Sequence, residues 1–258
     1  MLNFRNTNIV LAVLLAALVV FHINHSVSFW WYIILIIAYS LILFYGSYCV
    51  ESQFYMKTIC SAATDEKKIA ISFDDGPQEN YTKEILKILN AANAKASFFC
   101  IGKNAAANIN LLKEIHQQGH IIGSHSYSHG FWFDLLSAKK MQDDLEKMHQ
   151  LVQKEIGVEL RFFRPPYGVT TPNLKKAVHA MRYTTIGWNV RSMDTVAKDE
   201  AALLGKLKNG LKPGAIFLFH DTIAITKNIL PQFLATVQQS GYEIVALDKL
   251  LNLTPYAD

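Results

Sequence analysis

Hydrophobic residues fall in two different patterns along this chain. In the first fifty positions they form long runs: Ile9–Phe21 is unbroken, His22–Ser28 is polar, and Phe29–Tyr45 is apolar apart from Ser40. A membrane-crossing helix needs about 20 mostly apolar residues, with about 17 as the lower bound. The second run meets this by itself, and the first does so once Asn8, His22 and Ile23 sit near the interfaces. Aromatics cluster at both ends of the second run (Phe29, Trp30, Trp31 and Tyr32; Phe44, Tyr45 and Tyr48), where an interfacial belt places them. The pattern predicts two transmembrane helices, a membrane anchor over residues 1–50 that meets the bilayer through residues 9–48. A cleaved signal peptide is the rival for the first run, but no small-residue cleavage site follows it and a second apolar run comes at once.

After a linker over 51–66 the pattern changes, and a domain over 67–258 alternates short apolar runs with helical stripes. The expected strands are Ile69–Phe73, Ala96–Ile101, His120–Ser124, Arg161–Arg164, Tyr183–Asn189, Ala215–His220 and Tyr242–Ala246. Between them lie helical patterns over Thr82–Ala92, Ile109–Gln118, Ala138–Ile156, Thr171–Ala180, Glu200–Asn209 and Lys227–Ser240, with Thr82 as an N-cap and Gly119, Gly157 and Gly210 as stops. Seven strands alternating with helices imply βαβ units and a parallel sheet, an α/β fold, with a doubly wound sheet and a barrel both open on periodicity alone. No dinucleotide or P-loop glycine motif follows the first strand.

Charge sharpens the division. Arg5 is the one charged residue among the first 50, whereas the chain of 258 has 25 basic and 21 acidic side chains and a net charge of +4. So small a surplus, with no long basic cluster, argues against nucleic acid as a partner. The apolar share of 51% excludes disorder. Cys49, Cys60 and Cys100 are odd in number and show no metal-like pairing, so no disulfide framework is implied.

Reactive side chains collect where the strands end. The first strand runs into Asp74-Asp75-Gly76-Pro77, the third into His125-Ser126-Tyr127-Ser128-His129, the fourth into Arg164-Pro165-Pro166-Tyr167; Asp194 follows the fifth, and His220-Asp221 ends the sixth. In a parallel α/β fold these points share one face, where such folds place their sites. Two histidines at i and i+4 lie on one face of a helical turn, and one carboxylate from another strand end completes a three-ligand zinc site with an open position. The second carboxylate of the Asp pair then faces water acidified by the metal and acts as general base. His220 suits a general acid for a leaving amine, with Asp194 as the carboxylate that holds it protonated. Arg164 pairs with the basic Asp. His116, His149 and His179 lie in helical patterns and read as solvated, and His120 as structural.

The segments ISFDDGPQENYT, GSHSYSHG, FFRPPYG, GWNVRSMDT and IFLFHD, in this order, resemble the five motifs of the polysaccharide deacetylases with the NodB homology domain, carbohydrate esterase family 4. The resemblance covers about Lys67 to Leu250. It implies a deformed (β/α) barrel and metal-dependent removal of N- or O-acetyl groups from an acetylated polysaccharide. By position it makes Asp74 the base, Asp75, His125 and His129 the ligands of one divalent ion, and Arg164 the partner that positions Asp74. The Tyr167 N–H then helps stabilise the oxyanion, Tyr167, Leu218 and Trp188 contact substrate, and His220 is the acid oriented by Asp194. Zinc fits two His and one Asp, with cobalt, nickel or manganese compatible by ligand type. Many members have Trp after the motif-four Asp; here it is Thr195, which bears on the substrate and not on the metal or acid–base set.

Two other activities compete: hydrolysis of a small cyclic or linear amide in a site opened by Thr195, and glycan binding without turnover. Location is contested too. The loop His22–Ser28 lacks Lys and Arg while Arg5 and Lys57 flank the helix pair, which by the positive-inside rule puts both ends in the cytoplasm. The family's substrates lie outside. The expectation is a multi-pass membrane protein with the side of its domain open and the extracytoplasmic side preferred; a span by the second run alone, with the N-terminus inside, also puts the domain outside.

Overall fold

The computed structural model describes residues 2–257; Met1 and Asp258, the outer limits of the expected anchor and domain, lie outside the described residues. The two apolar runs form α1 (Phe4–Asn24) and α2 (Trp30–Tyr48). At 1.5 Å per residue these helices of 21 and 19 residues reach about 30 Å, the thickness of a bilayer's hydrocarbon core. Thr7 and Gly46 are their only buried residues, and large apolar side chains such as Ile9, Val13, Phe21, Ile36 and Leu41 are exposed along them. A core helix of a water-soluble domain would hide such a face. The helices return on each other as a hairpin, tied by Tyr39 OH to Asn8 Oδ1 (2.7 Å). Two helices paired in this way would, in crossing a membrane, leave their outer ends and the domain on one side.

The hairpin is fastened to the rest of the chain. Phe4 N–H bonds to Phe54 O at 3.0 Å and Thr170 N–H to Ser47 O at 3.0 Å, and Phe54 packs against Gly46, where a Cβ would overlap its ring. Val50, Phe54, Tyr55, Met56 and Thr58 are buried, so the stretch between hairpin and domain packs against the protein instead of crossing solvent.

The domain is a curled parallel sheet wrapped by helices. In chain order come β1 (Lys68–Asp74), α3 (Thr82–Ala91), β2 (Ser97–Cys100), α4 (Gly102–Ala107), α5 (Ile109–Gln117), β3 (Ile121–Ser124), α6 (Ala138–Ile156), β4 (Glu159–Leu160), β5 (Phe162–Phe163), α7 (Pro172–Ala180), β6 (Thr184–Thr185), β7 (Val190–Arg191), α8 (Glu200–Asn209), β8 (Ile216–His220), α9 (Ala224–Gln239), β9 (Glu243–Ile244), α10 (Leu247–Leu251) and β10 (Tyr256–Ala257). Seven strands follow the order β6-β5-β3-β2-β1-β8-β7, every neighbouring pair parallel; β9 adds to the start of β1, and β10 pairs with β4 antiparallel.

The two ends of that order, β6 and β7, are consecutive in the chain with only Ile186–Asn189 between them. One segment therefore leaves one edge of the sheet and joins the other, curling it into a deformed (β/α) barrel. The expected single strand Tyr183–Asn189 is in fact this closing segment: pairing with β5 stops at Thr185 and pairing with β8 begins at Val190. Ile59 bridges to Ile186 on the closing segment and Ser61 to Ala215, and Ile59 packs against the interior cluster.

Strand alternation divides the core in two. Ile69, Ile71, Phe73, Phe98, Phe163, Phe217 and Phe219 face the helices, where α3, α6 and α9 lay their apolar stripes. Ala70, Phe99, Ile121, Phe162, Ile186 and Ile216 fill the barrel's interior. Helix α6 shows why its ends fall where they do: Ser137 accepts the Lys140 N–H at its N-cap, and Gly157, left-handed at φ 82°, stops it. The N-cap of α3 is Tyr81; Thr82, expected there, is the first helical residue and is fully buried.

Candidate active site

The same alternation builds the site. Ala70 and Ile216 point inward low in the barrel, so Asp74 and His220, four positions on along their strands, point inward at its mouth; the two are register partners across β1 and β8. Phe162 points inward, and so does Arg164; Ile121 points inward, and so does His125. The charged groups sit at strand ends because the apolar layer below leaves no room for them deeper down.

Asp75, His125 and His129 converge. The Oδ1 of Asp75 lies 3.6 Å from His125 Nε2 and 3.7 Å from His129 Nε2, and one donor atom from each residue falls within 4.8 Å of the others. A tetrahedral ion with bonds of about 2.0–2.1 Å needs donors about 3.3–3.4 Å apart. Asp75 Oδ1 is within a few tenths of an ångström of that spacing from both rings, and the set, spread over no more than 4.8 Å, can close on one divalent ion, its three protein ligands leaving a fourth position open. The ligand atoms are also prepared. His125 Nδ1 donates to Arg164 O at 2.9 Å, which turns the Nε2 lone pair to the cluster. Burial and the neighbouring His129 push His125 down to about 3, so the ring is neutral.

The two histidines do not share a helical turn, as their spacing suggests. They span a bend in which Ser126 (φ 64°) and His129 (φ 45°) are left-handed. Asp144 on α6 holds it, accepting the N–H groups of Tyr127 (2.7 Å) and Ser128 (3.2 Å), and Ser126 Oγ accepts the His129 N–H at 2.9 Å. Asp75 is left-handed too, at φ 80°. A non-glycine residue there costs about 1–3 kcal/mol and persists only where its surroundings over-determine it. Here they do: Asn104 Nδ2 donates to Asp75 O at 2.6 Å and Ile101 N–H to Gly76 O at 3.0 Å, while Asp221 Oδ1 accepts the Gly76 N–H at 2.8 Å.

Asp74 is enclosed differently from its neighbour. It is 3% exposed, and its Oδ1 accepts from Arg164 Nη1 at 2.7 Å, while its Oδ2 lies 3.9 Å from His125 Nε2 on the cluster side. Burial raises its carboxyl above the ordinary range, and the Arg164 charge works against that rise. Arg164 is fully buried and uses every arm. Nη1 also reaches Ser72 Oγ (2.8 Å), Nη2 reaches Gly187 O (2.9 Å), Nε reaches Ile186 O (3.3 Å), and the guanidinium lies 4.0 Å from the Phe99 ring centroid. Its acceptors on the closing segment are carbonyls that the interrupted sheet leaves without strand partners.

His220 and Asp194 form the second ionisable pair. Asp194 Oδ1 meets His220 Nδ1 at 2.7 Å; its Oδ2 accepts the His220 backbone N–H at 2.7 Å and the Thr226 hydroxyl at 2.6 Å. Burial disfavours charge on both, but the Asp194 hydrogen bond and charge outweigh it and raise His220 above 6.5. On Asp194 burial is likewise outweighed, by the same bond, and its carboxyl is held below the usual range. Both shifts favour the ion pair, with Nε2 of the ring left for the site.

Tyr167, left-handed at φ 58°, stacks 4.6 Å from the His129 ring and donates its hydroxyl to His129 O at 3.4 Å. Trp188 lies 5.6 Å from the Arg164 guanidinium and covers Gly168, where a Cβ would stand 2.6 Å from the indole. Leu218 is buried one inward step below His220 on β8. Thr195 is exposed and gives only its N–H, to Asp194 Oδ1 at 3.0 Å. The ten residues singled out from the sequence thus sit at or just below the mouth of the barrel, Leu218 one inward step down β8.

Sequence reasoning passed over Asp221. It is 1% exposed and locks the Asp74–Gly76 turn: besides Gly76 N–H, its Oδ2 accepts the Thr82 hydroxyl at 2.7 Å, and a Cβ on Gly76 would overlap its carboxylate. Burial pushes Asp221 up to about 7 against those hydrogen bonds. Its position directly after His220 was the available signal. Asp144 and Thr226 had none, since each belongs to an ordinary amphipathic helix, and Asn104 had none because its short helix carries no apolar stripe. Of the remaining histidines, His120 is buried, with Nδ1 accepting the Ala96 N–H at 3.2 Å, and His179 is exposed. His116 and His149 are half-buried and not solvated as expected, since Tyr256 and Tyr183 pack on them.

The polysaccharide deacetylase family model matches residues 61–186. The peptidoglycan-N-acetylglucosamine deacetylase PgdA of Listeria monocytogenes is 31% identical over 188 residues, 73% of this chain but 40% of that relative, so the chain spans less than half of that protein's length. A peptidoglycan-N-acetylglucosamine deacetylase of Bacillus cereus is 31% identical over 196 residues, 72% of this chain and 89% of the relative. Among solved structures, the Bc1960 peptidoglycan N-acetylglucosamine deacetylase shares the fold with a TM-score of 0.74 at 24% identity, over 78% of this chain and 95% of that one. The curled barrel, the Asp–His–His cluster at its mouth and a relative matched over nearly its whole length agree: this chain belongs to the polysaccharide deacetylase family.

Proposed function

We propose that the chain is a membrane-anchored N-deacetylase that hydrolyses acetamido groups of N-acetylglucosamine units in a polysaccharide, with peptidoglycan favoured by the names of its relatives. One observation carries the reading: the Asp75–His125–His129 cluster has a buried carboxylate, Asp74, on one side and the His220–Asp194 pair across the β1–β8 ladder. The anchor is residues 1–50, the connection 51–66 and the catalytic part 67–258. The names of the relatives support a position of domain and chain start together on the extracytoplasmic side.

A divalent ion held by Asp75, His125 and His129, zinc by ligand type, supplies Lewis acidity that lowers the pKa of water from about 16 toward 7 and polarises the acetyl carbonyl. The rest falls to the protein. Asp74 takes the proton from the attacking water, and Arg164 keeps that carboxylate oriented with one oxygen free. The Tyr167 N–H meets the carbonyl oxygen as it gains charge. His220 delivers its proton to the departing nitrogen as the C–N bond breaks, and Asp194 holds the ring for it. Acetate and a free amine leave. Leu218 and Trp188 wall the acetyl group.

The test is acetate release by the purified chain from N-acetylglucosamine oligomers, with metal analysis, set beside small cyclic and linear amides. Turnover of the oligomers supports the reading. Turnover of the small amides alone moves the substrate, and glycan binding without acetate at any divalent metal removes the enzyme.

A further inference from the structure

We propose that the domain-side end of the helical hairpin holds a binding groove for the phosphate headgroup of an anionic phospholipid. Arg5, the one charge in the hairpin, Lys57 just after it, and Lys175 and Lys176 on α7 line a single cavity of about 670 Å³, with Gln53 and His179 beside them. They come from three separate parts of the chain. The bonds from Phe4 N–H to Phe54 O and from Thr170 N–H to Ser47 O bring those parts together, the second only two residues before α7 begins.

All four cations are exposed, and among the described residues none forms an ion pair. Glu51, the nearest acid in sequence, is not part of its lining; it lines a second cavity that shares Gln53 and Lys57 with this one. Four like charges around one hollow repel, and an anion seated between them relieves that repulsion. Beneath them Phe54 and Met56 give the hollow an apolar floor. Phosphate with an apolar tail matches both parts.

The height is also right. Arg5 is in the first turn of α1, and α2 ends at Tyr48, so the groove opens at the level where two helices of about 30 Å emerge from hydrocarbon into the headgroup layer. Basic side chains at that level bind anionic lipid. This inference rests on reading α1 and α2 as membrane spans.

The test uses the full chain in neutral detergent, titrated calorimetrically with short-chain phosphatidylglycerol, short-chain phosphatidylcholine and inorganic phosphate. Phosphatidylglycerol is expected to bind at least tenfold more tightly than either of the others. The double variant K175Q/K176Q should lose most of that preference while its acetate release from soluble oligomers stays unchanged. Equal affinity for both lipids, an unaltered preference in K175Q/K176Q, or equal binding of inorganic phosphate would overturn the proposal. Carbonate extraction of cell membranes tests the spans separately from the groove. A chain that stays in the pellet keeps the span reading whatever the titration gives, and a chain that is released overturns the spans and with them the lipid source.

Discussion

Asp74 and His220 are register partners on adjacent parallel strands, so the ladder that joins β1 to β8 also sets the spacing between the proposed base and the proposed acid. Neither can shift along its strand without breaking that ladder. Asp74→Asn should cut turnover by about 10²–10⁴, the usual worth of a general base, while the ion still binds through Asp75, His125 and His129. His125→Ala should instead lose the ion. Metal content and acetate release measured on both variants check this; full activity in Asp74→Asn removes it as the base.

Arg164 is a buried charge with four acceptors, and Asp74 relies on it. Arg164→Leu leaves that carboxylate unpaired in the interior, which should cost about 3–5 kcal/mol. A fall in the midpoint of chemical denaturation reads this directly, and a midpoint unchanged from the parent would contradict the pairing.

A pH dependence is expected from Asp194 and His220. The proposed acid, His220, can give a proton only while protonated, and its pKa is raised above 6.5, so activity should fall as pH rises through that raised value. Asp194→Asn removes the hydrogen bond and the charge that raise it, and the alkaline limb of the rate profile should move to lower pH. Stability runs the same way. The contribution of a group whose folded pKa is raised is fully present below its unfolded value and is lost as pH climbs through the folded one. Asp194, held low, contributes above its unfolded pKa and loses that as pH falls through its folded one. Melting curves of parent and variant across pH should therefore differ most between the carboxylate range and the raised imidazole pKa.

Asp221 is 1% exposed and acts through the turn it holds. It fixes Asp75 by holding the Gly76 N–H, and Asp221→Ala should weaken metal binding by about 10–100-fold, the usual effect of losing a group that orients a ligand. Calorimetric titration of zinc into the metal-free protein measures it. Saturating zinc should restore much of the turnover, a recovery that general destabilisation would not allow.

Much of this site was legible because charged and imidazole side chains interrupt the apolar strands only at their ends. Asp74, His125, Arg164 and His220 stand out against IAISF, HIIGS, RFF and IFLF. The closing segment was not, because Ile186–Asn189 continues an apolar run and nothing local marks where pairing passes from β5 to β8. The histidine bend depends on Asp144, a residue of α6 with no local mark. Helix α4 escaped because Gly-Lys-Asn-Ala-Ala-Ala carries no apolar stripe. Partners distant in sequence decide such features, and periodicity reports only on neighbours.

The reach of Arg164 bears on how the enzyme is made. Its carboxylate partner precedes it by 90 residues, and the carbonyls it grips at Ile186 and Gly187 lie 22 and 23 residues after it. During synthesis the guanidinium can settle only after the seam of the barrel has emerged and shut. Until then Asp74 lacks its counterion and the mouth lacks a wall, so in a half-made or gaping barrel the proposed base stands without its partner. On that reading the proposed activity arrives together with closure.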